Sequence, residues 1–287
     1  AAIKLARKYF FDKGDTSRFR IIAMAQSFHG RTMGSLSATG QEKIRKGFEP
    51  VLGGFDFVPF NDIEALRAKL DETVCAVLLE PIQGEGGIVC PDPTYLAAVR
   101  RLCDETGTLM ILDEIQTGMG RTGKLFAYEH EGAAPDIMTI AKALGNGLPI
   151  GAMLAREGVA QAFGPGAHAT TFGGTPIMTA GALAVVKTIE EENIVERAAR
   201  IGAYFMEQLQ GLKRRHDRIE TIRGRGLLLG IKLREDGAPL VNACMARGFV
   251  INCVQGDILR LAPPLIISTD EIDALIDCLD NILSTEV

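Results

Sequence analysis

The feature that most constrains the fold is an alternation. Near-continuous apolar runs at residues 20–25, 74–80, 109–113, 137–140 and 152–155 are separated by amphipathic helical patterns such as 62–70 and 94–105. Strands that are apolar on both sides must be covered on both faces. Helices lying between them return the chain so that the next strand runs parallel to the last. The expectation is an α/β fold, a mostly parallel sheet covered by helices. After Pro176 the texture changes. Helical patterns at 177–191 and 195–212 are followed by strand-like 221–223 and 227–233, a helix over 240–247, strands at 250–252 and 258–261, and a closing helix from Asp270. This predicts a smaller α+β domain at the C-terminus, with residues 1–190 in the large domain and 191–287 in the small one. A chain of 287 residues with 47% hydrophobic content can bury a core in each.

In open α/β sheets, ligands gather beyond the carboxyl ends of the strands. Two of those ends carry reactive side chains. Leu109-Met110-Ile111-Leu112-Asp113-Glu114 ends in acids, and Asp136-Ile137-Met138-Thr139-Ile140-Ala141-Lys142 ends in a lysine before the turn Gly145-Asn146-Gly147. An amine and a carboxylate on neighbouring strand ends suit pyridoxal 5'-phosphate (PLP). The amine condenses with the cofactor aldehyde, and the carboxylate pairs with the pyridinium nitrogen. A ring protonated there accepts the electron pair released when a C–H bond of the substrate breaks. Either residue alone reads more simply, as a surface lysine or a helix-capping acid.

The surrounding text decides between these readings. Six segments, in order along almost the whole chain, resemble the class III, fold type I aminotransferases. They are Ser27-Phe28-His29-Gly30-Arg31-Thr32, Glu80-Pro81-Ile82-Gln83-Gly84-Glu85-Gly86-Gly87, Asp113-Glu114-Ile115-Gln116-Thr117-Gly118-Met119-Gly120-Arg121-Thr122-Gly123, Ala141-Lys142-Ala143-Leu144-Gly145, Thr170-Thr171-Phe172-Gly173-Gly174-Thr175-Pro176, and Leu259-Arg260-Leu261-Ala262-Pro263-Pro264. The stretch from Phe249 to Pro264 is most similar to the acetylornithine branch. The resemblance implies PLP-dependent transamination of N-acetylornithine with 2-oxoglutarate. Ornithine, succinylornithine, 4-aminobutyrate and diaminopelargonate-forming enzymes share that chemistry and are the nearest alternatives; a truncated, inactive homologue that only binds or dimerises is the alternative of a different class.

Residue by residue, the resemblance implies that Lys142 holds the cofactor and carries the proton. Asp113 meets the ring nitrogen, Phe28 stacks on the ring, and Gln116 bonds near its phenolic oxygen. Thr171 reaches the phosphate of the neighbouring subunit in a homodimer with shared active sites, and Thr170 joins the substrate residues. Arg31 is implied to clamp the distal carboxylate of the substrate, a task suited to a planar guanidinium fork. Arg260 and Glu85 form a pair that opens when glutamate brings its own carboxylate. Thr175 stands where the family usually has Asn. The family also places a glycine-containing phosphate turn before the helix whose body begins here at Ala1. With no helix cap before Ala1, the chain reads as continuing upstream.

Other classes fit poorly. Gly118-Met119-Gly120-Arg121-Thr122-Gly123-Lys124 has the glycine and lysine spacing of a phosphate-binding P-loop, but Leu125 replaces the expected Ser or Thr and no helix pattern follows. A net charge of −5 gives no general attraction to nucleic acid or to anionic membranes. No apolar run reaches the roughly 18 residues of a membrane span, and no signal peptide is visible. Cys75, Cys90, Cys103, Cys244, Cys253 and Cys278 are scattered without a C-x-x-C pair and read as reduced thiols of a cytoplasmic protein. His29, His130, His168 and His216 are too dispersed to suggest a metal site.

Overall fold

The computed structural model describes residues 1–285. The chain divides into two compact units. One comprises Ala1–Pro81, Pro91–Gln116 and Tyr128–Lys187, the other Ile82–Cys90, Thr117–Ala127 and Thr188–Val287.

The first unit is built on a six-stranded sheet. Its strands are β1 (Arg20–Met24), β2 (Phe55–Val58), β3 (Val74–Leu79), β4 (Leu109–Asp113), β5 (Ile137–Ile140) and β6 (Ala152–Ala155), in the order β2-β1-β3-β4-β5-β6. All neighbours are parallel except β5 and β6, which run antiparallel. β2 is absent from the sequence reading for a physical reason. It is a four-residue edge strand with a charge inside it, and Asp56 there takes the Arg20 guanidinium at 2.6 Å.

Alternate residues serve opposite faces of this sheet. Ile22, Met24, Val77, Leu79, Met110 and Leu112 pack under Leu66 of the helix Ile63–Lys69 and under Leu96, Val99 and Leu102 of the helix Tyr95–Thr106. Ile21, Cys75, Leu78, Ile111 and Ile137 pack against Leu5, Ala6 and Phe10 of the helix Ala2–Asp12. Both faces are therefore dry, which is why the strands read as unbroken apolar runs.

The second unit carries a four-stranded antiparallel sheet of β7 (Ile219–Arg225), β8 (Leu228–Leu233), β9 (Asn252–Val254) and β10 (Ile258–Leu261), in the order β7-β8-β10-β9. The strand expected at 250–252 lies two residues later. Asn252 is the residue that pairs with Arg260, and Val250 is 87% exposed outside the ladder. The core is formed by Phe205, Leu209 and Leu212 of the helix Ile194–Arg215, with Ile272, Ile276 and Leu279 of the helix Thr269–Ser284. The latter helix opens with a reciprocal capping box between Ser268 and Glu271.

Two excursions from the first half of the chain belong to this unit, so the division is not a single cut at residue 190. Ile82 and Ile88 form a small buried cluster with Leu228. The loop after Gln116 packs so closely that a Cβ on Gly226 would lie 2.5 Å from the Thr122 carbonyl carbon, and Gly226 itself has φ +57°. Only glycine satisfies both conditions.

Candidate active site

The chain leaves β1 for β2 on one side and later returns to β3 on the other side of β1. That is a topological switch point, the crevice where open α/β sheets bind ligands. Phe28 follows β1 there, half-buried, and its backbone N–H donates to Glu80 Oε1, just beyond β3, at 2.8 Å. The exposed Arg31 guanidinium stands 5.6 Å from the Phe28 ring centre.

Asp113 ends β4 and pairs in register with Thr139 of β5. Lys142 lies three residues beyond Thr139, so carboxylate and amine leave adjacent strands in the same direction. Neighbouring strands are about 4.8 Å apart. Lys142 is exposed and opens the 3-10 turn Lys142–Leu144 with φ +42°, the left-handed region that a side chain rarely adopts. Such conformations cost on the order of 1–3 kcal/mol and collect at functional sites.

The Asp113 side chain is 7% exposed. Its Oδ1 accepts from the Ile115 backbone N–H at 3.1 Å, and its Oδ2 meets His29 Nδ1 at 2.8 Å. His29 has no role in the sequence reading. The signal for it was its place in Phe28-His29-Gly30, one residue past Phe28. Burial works against a charged imidazole, yet the hydrogen bond and charge of Asp113, helped by the charge of Glu80, outweigh it. The His29 pKa is raised above its ordinary value.

Gln116 is half-buried three residues past Asp113. Thr170 and Thr171 lie on an exposed turn closed by the Gly173 N–H donating to Thr170 O at 3.3 Å. In the second unit, Glu85 Oε1 accepts from Arg260 Nη1 at 2.6 Å. Gln255 Nε2 holds the Glu85 backbone carbonyl at 2.7 Å, and Asn252 Oδ1 accepts from Arg260 Nε at 3.3 Å. The P-loop-like segment is no nucleotide cradle. Gly120 and Gly123 turn with φ +87° and +85°, Gly123 lies against Ala199, and only a 3-10 turn at Ala127–His130 follows.

These donors and acceptors suit PLP. A carboxylate accepts about four hydrogen bonds, and each Asp113 oxygen meets one, from the Ile115 N–H and from His29, leaving room for a ring N–H. Burial of that carboxylate matches an aromatic cation rather than water. The exposed amine on the adjacent strand end matches an aldehyde on the same ring.

Comparison with known proteins agrees. The family model "Aminotransferase class-III" matches residues 1–283. An acetylornithine aminotransferase of Caldanaerobacter subterraneus subsp. tengcongensis is 51% identical over 284 residues, covering 99% of this chain and 72% of the relative. One from Methanocaldococcus jannaschii is 46% identical over 283 residues, covering 99% and 71%. The ornithine aminotransferase of Toxoplasma gondii, solved with partial occupancy of PLP at its active site, superposes with a TM-score of 0.93 at 33% identity, covering 98% of this chain and 68% of that one.

Proposed function

The chain belongs to the class III aminotransferases, PLP-dependent enzymes of fold type I, and from that premise we propose that it moves the δ-amino group of N-acetylornithine to 2-oxoglutarate. The products are N-acetylglutamate semialdehyde and glutamate, a step of arginine biosynthesis. The observation that carries the chemistry is the delivery of a buried carboxylate, Asp113, and an exposed amine, Lys142, by adjacent parallel strands. The substrate follows from the identity to acetylornithine aminotransferases over 99% of the chain.

When bound, PLP supplies an electron sink for the carbanion formed at the substrate's δ-carbon. The chain's own residues do the rest. Lys142 Nζ would tether the cofactor and, as a free amine, would carry the proton taken from the δ-carbon. Asp113 would accept the ring N–H, Phe28 would cover a ring face, and Gln116 would bond near the phenolic oxygen. Arg31 grips the distal carboxylate as a bidentate fork, with Thr170 beside the substrate and Thr171 on the phosphate of a neighbouring subunit. Arg260 stays on Glu85 while the δ-amine reacts and leaves it for the α-carboxylate of glutamate.

The assembly is a cytoplasmic homodimer. Phe172 is 81% exposed, Ile177 69% and Leu183 55%, on and just before the helix Pro176–Glu191, an apolar face suited to a second copy. Among the described residues, no helix is long and apolar enough to cross a membrane.

Glutamate formation from 2-oxoglutarate, with N-acetylornithine, ornithine, N-succinylornithine and 4-aminobutyrate offered in turn, tests the substrate. The expected order of kcat/KM puts N-acetylornithine first. Faster turnover of any of the other three sinks the assignment.

A further inference from the structure

His29 is tied to the site by four observations. Its side chain is 3% exposed, its Nδ1 is 2.8 Å from Asp113 Oδ2, its backbone N–H donates to Thr39 Oγ1 at 3.0 Å, and its buried Nε2 has no hydrogen-bond partner among the described residues. A structural histidine buried for packing ordinarily satisfies both ring nitrogens. Here the hydrogen-bonding capacity is spent on one side only, against the carboxylate that ends β4.

The tautomer follows from the partner. A carboxylate accepts, so Nδ1 carries the hydrogen, and Nε2 is the nitrogen whose protonation is free to change. The charged groups facing the ring are Asp113 from the end of β4 and Glu80 from the end of β3, both buried. Two acids enclose one base.

We propose that His29 is a positioning residue: its Nδ1–H fixes the rotation of the Asp113 carboxylate so that a free lone pair is presented to the ring nitrogen of the cofactor. This rests on the reading of Asp113 as the partner of that nitrogen. It has a linked consequence. Imidazolium and pyridinium compete for the same carboxylate, so protonation of His29 weakens cofactor binding and bound cofactor makes His29 harder to protonate. Affinity for PLP therefore falls as pH drops through the His29 titration.

The test uses the full chain in three variants, His29→Ala, His29→Asn and Asp113→Asn. PLP affinity is measured by equilibrium titration at several pH values, and histidine-selective NMR follows the ring in cofactor-free protein. The Asn amide can donate where Nδ1 did but cannot titrate. His29→Ala is expected to weaken PLP binding about 10-fold, the size of one hydrogen bond to a charged group. His29→Asn is expected to restore affinity to within about 3-fold while flattening its pH dependence. The NMR titration of His29 is expected to move down in Asp113→Asn. Thermal unfolding of the cofactor-free variants separates a lost fold from a lost orientation.

If Asp113→Asn weakens PLP while His29→Ala and His29→Asn both bind it like wild type, the positioning role is wrong and the site reading stands. If Asp113→Asn leaves PLP affinity unchanged, both fall together. Should His29→Ala be too unstable to assay, His29→Asn and the NMR titration still decide. A His29 ring whose titration ignores Asp113→Asn overturns the proposal.

Discussion

Two acid–base pairs in this molecule look alike on paper and differ in kind. His29 and Asp113 meet at 2.8 Å with side chains 3% and 7% exposed, and both are pinned further by backbone bonds. Arg260 and Glu85 meet at 2.6 Å with side chains 16% and 30% exposed. Removing one partner of a fully buried pair costs about 3–5 kcal/mol, because the survivor is left uncompensated. A pair that water reaches is worth about 0–1 kcal/mol. On the function proposed above, the first pair holds still, and the second, more open to water, is the one that gives way to a substrate carboxylate. That proposal asks fixed geometry of the first pair for the chemistry and movement of the second for the acceptance of two unlike substrates.

The fixed half should fail hardest. Lys142→Ala removes tether and proton carrier together and is expected to lower kcat at least about 10⁴-fold, with the circular dichroism of the fold unchanged. Normal turnover, with borohydride fixing PLP to another lysine, would show that the amine is misassigned. Asp113→Asn comes next. It keeps the shape but loses the charge facing the ring nitrogen, for an expected loss of about 10²-fold. Single-turnover rates should fall more than PLP affinity does. Unchanged single-turnover rates would remove Asp113 from the chemistry.

Much of this fixed half was legible. Apolar continuity gave β3, β4 and β5 because those strands are dry on both faces, and their carboxyl ends put Asp113 and Lys142 together. His29 was not legible as a partner. Its contact spans 84 residues of sequence and depends on how the turn after β1 folds back toward β4. β2 was missed because a strand carrying Asp56 at a sheet edge has the polarity of a loop. The excursions 82–90 and 117–127 were invisible for a similar reason. Their affiliation is set by Ile82 and Ile88 meeting Leu228 and by Gly226 against Thr122, contacts that no periodicity encodes.

The movable half should show selective damage. Glu85→Ala leaves Arg260 without its carboxylate resting partner. The half-reaction with N-acetylornithine is expected to slow about 10-fold, while that with glutamate is spared or improved, as expected when an interaction matters in one half-reaction only. Stopped-flow traces of the two half-reactions measure this directly. Equal losses in both would make Glu85–Arg260 a permanent structural pair and erase the contrast with His29–Asp113.

The buried pair should also make stability depend on pH. His29 titrates above its ordinary value of about 6.5 in the fold. The folded state therefore holds this proton more tightly than the unfolded state does. The resulting stability is fully present below about pH 6.5 and is lost as pH rises through the folded value. Urea unfolding of the cofactor-free chain, repeated across that range, is expected to show the decline in wild type and a smaller one in His29→Asn. Identical pH profiles would mean that the buried pair does not couple to proton uptake.

The smallest effect is the most discriminating. If Arg260–Glu85 is cheap to open, breaking it must barely disturb the fold. Arg260 keeps Asn252 as an acceptor, and the Glu85 backbone keeps Gln255, so neither chain segment loses its anchor when the carboxylate goes. Solvent reaches the guanidinium left behind and replaces the lost partner in part. Glu85→Ala is therefore expected to cost under about 1 kcal/mol, which for a chain of this size lowers Tm by no more than about 2–4 °C. Calorimetry on the cofactor-free chain measures it without interference from PLP. A loss near 3 kcal/mol would place this pair in the same class as His29–Asp113, and a pair that expensive could not be given up each time the substrate changes.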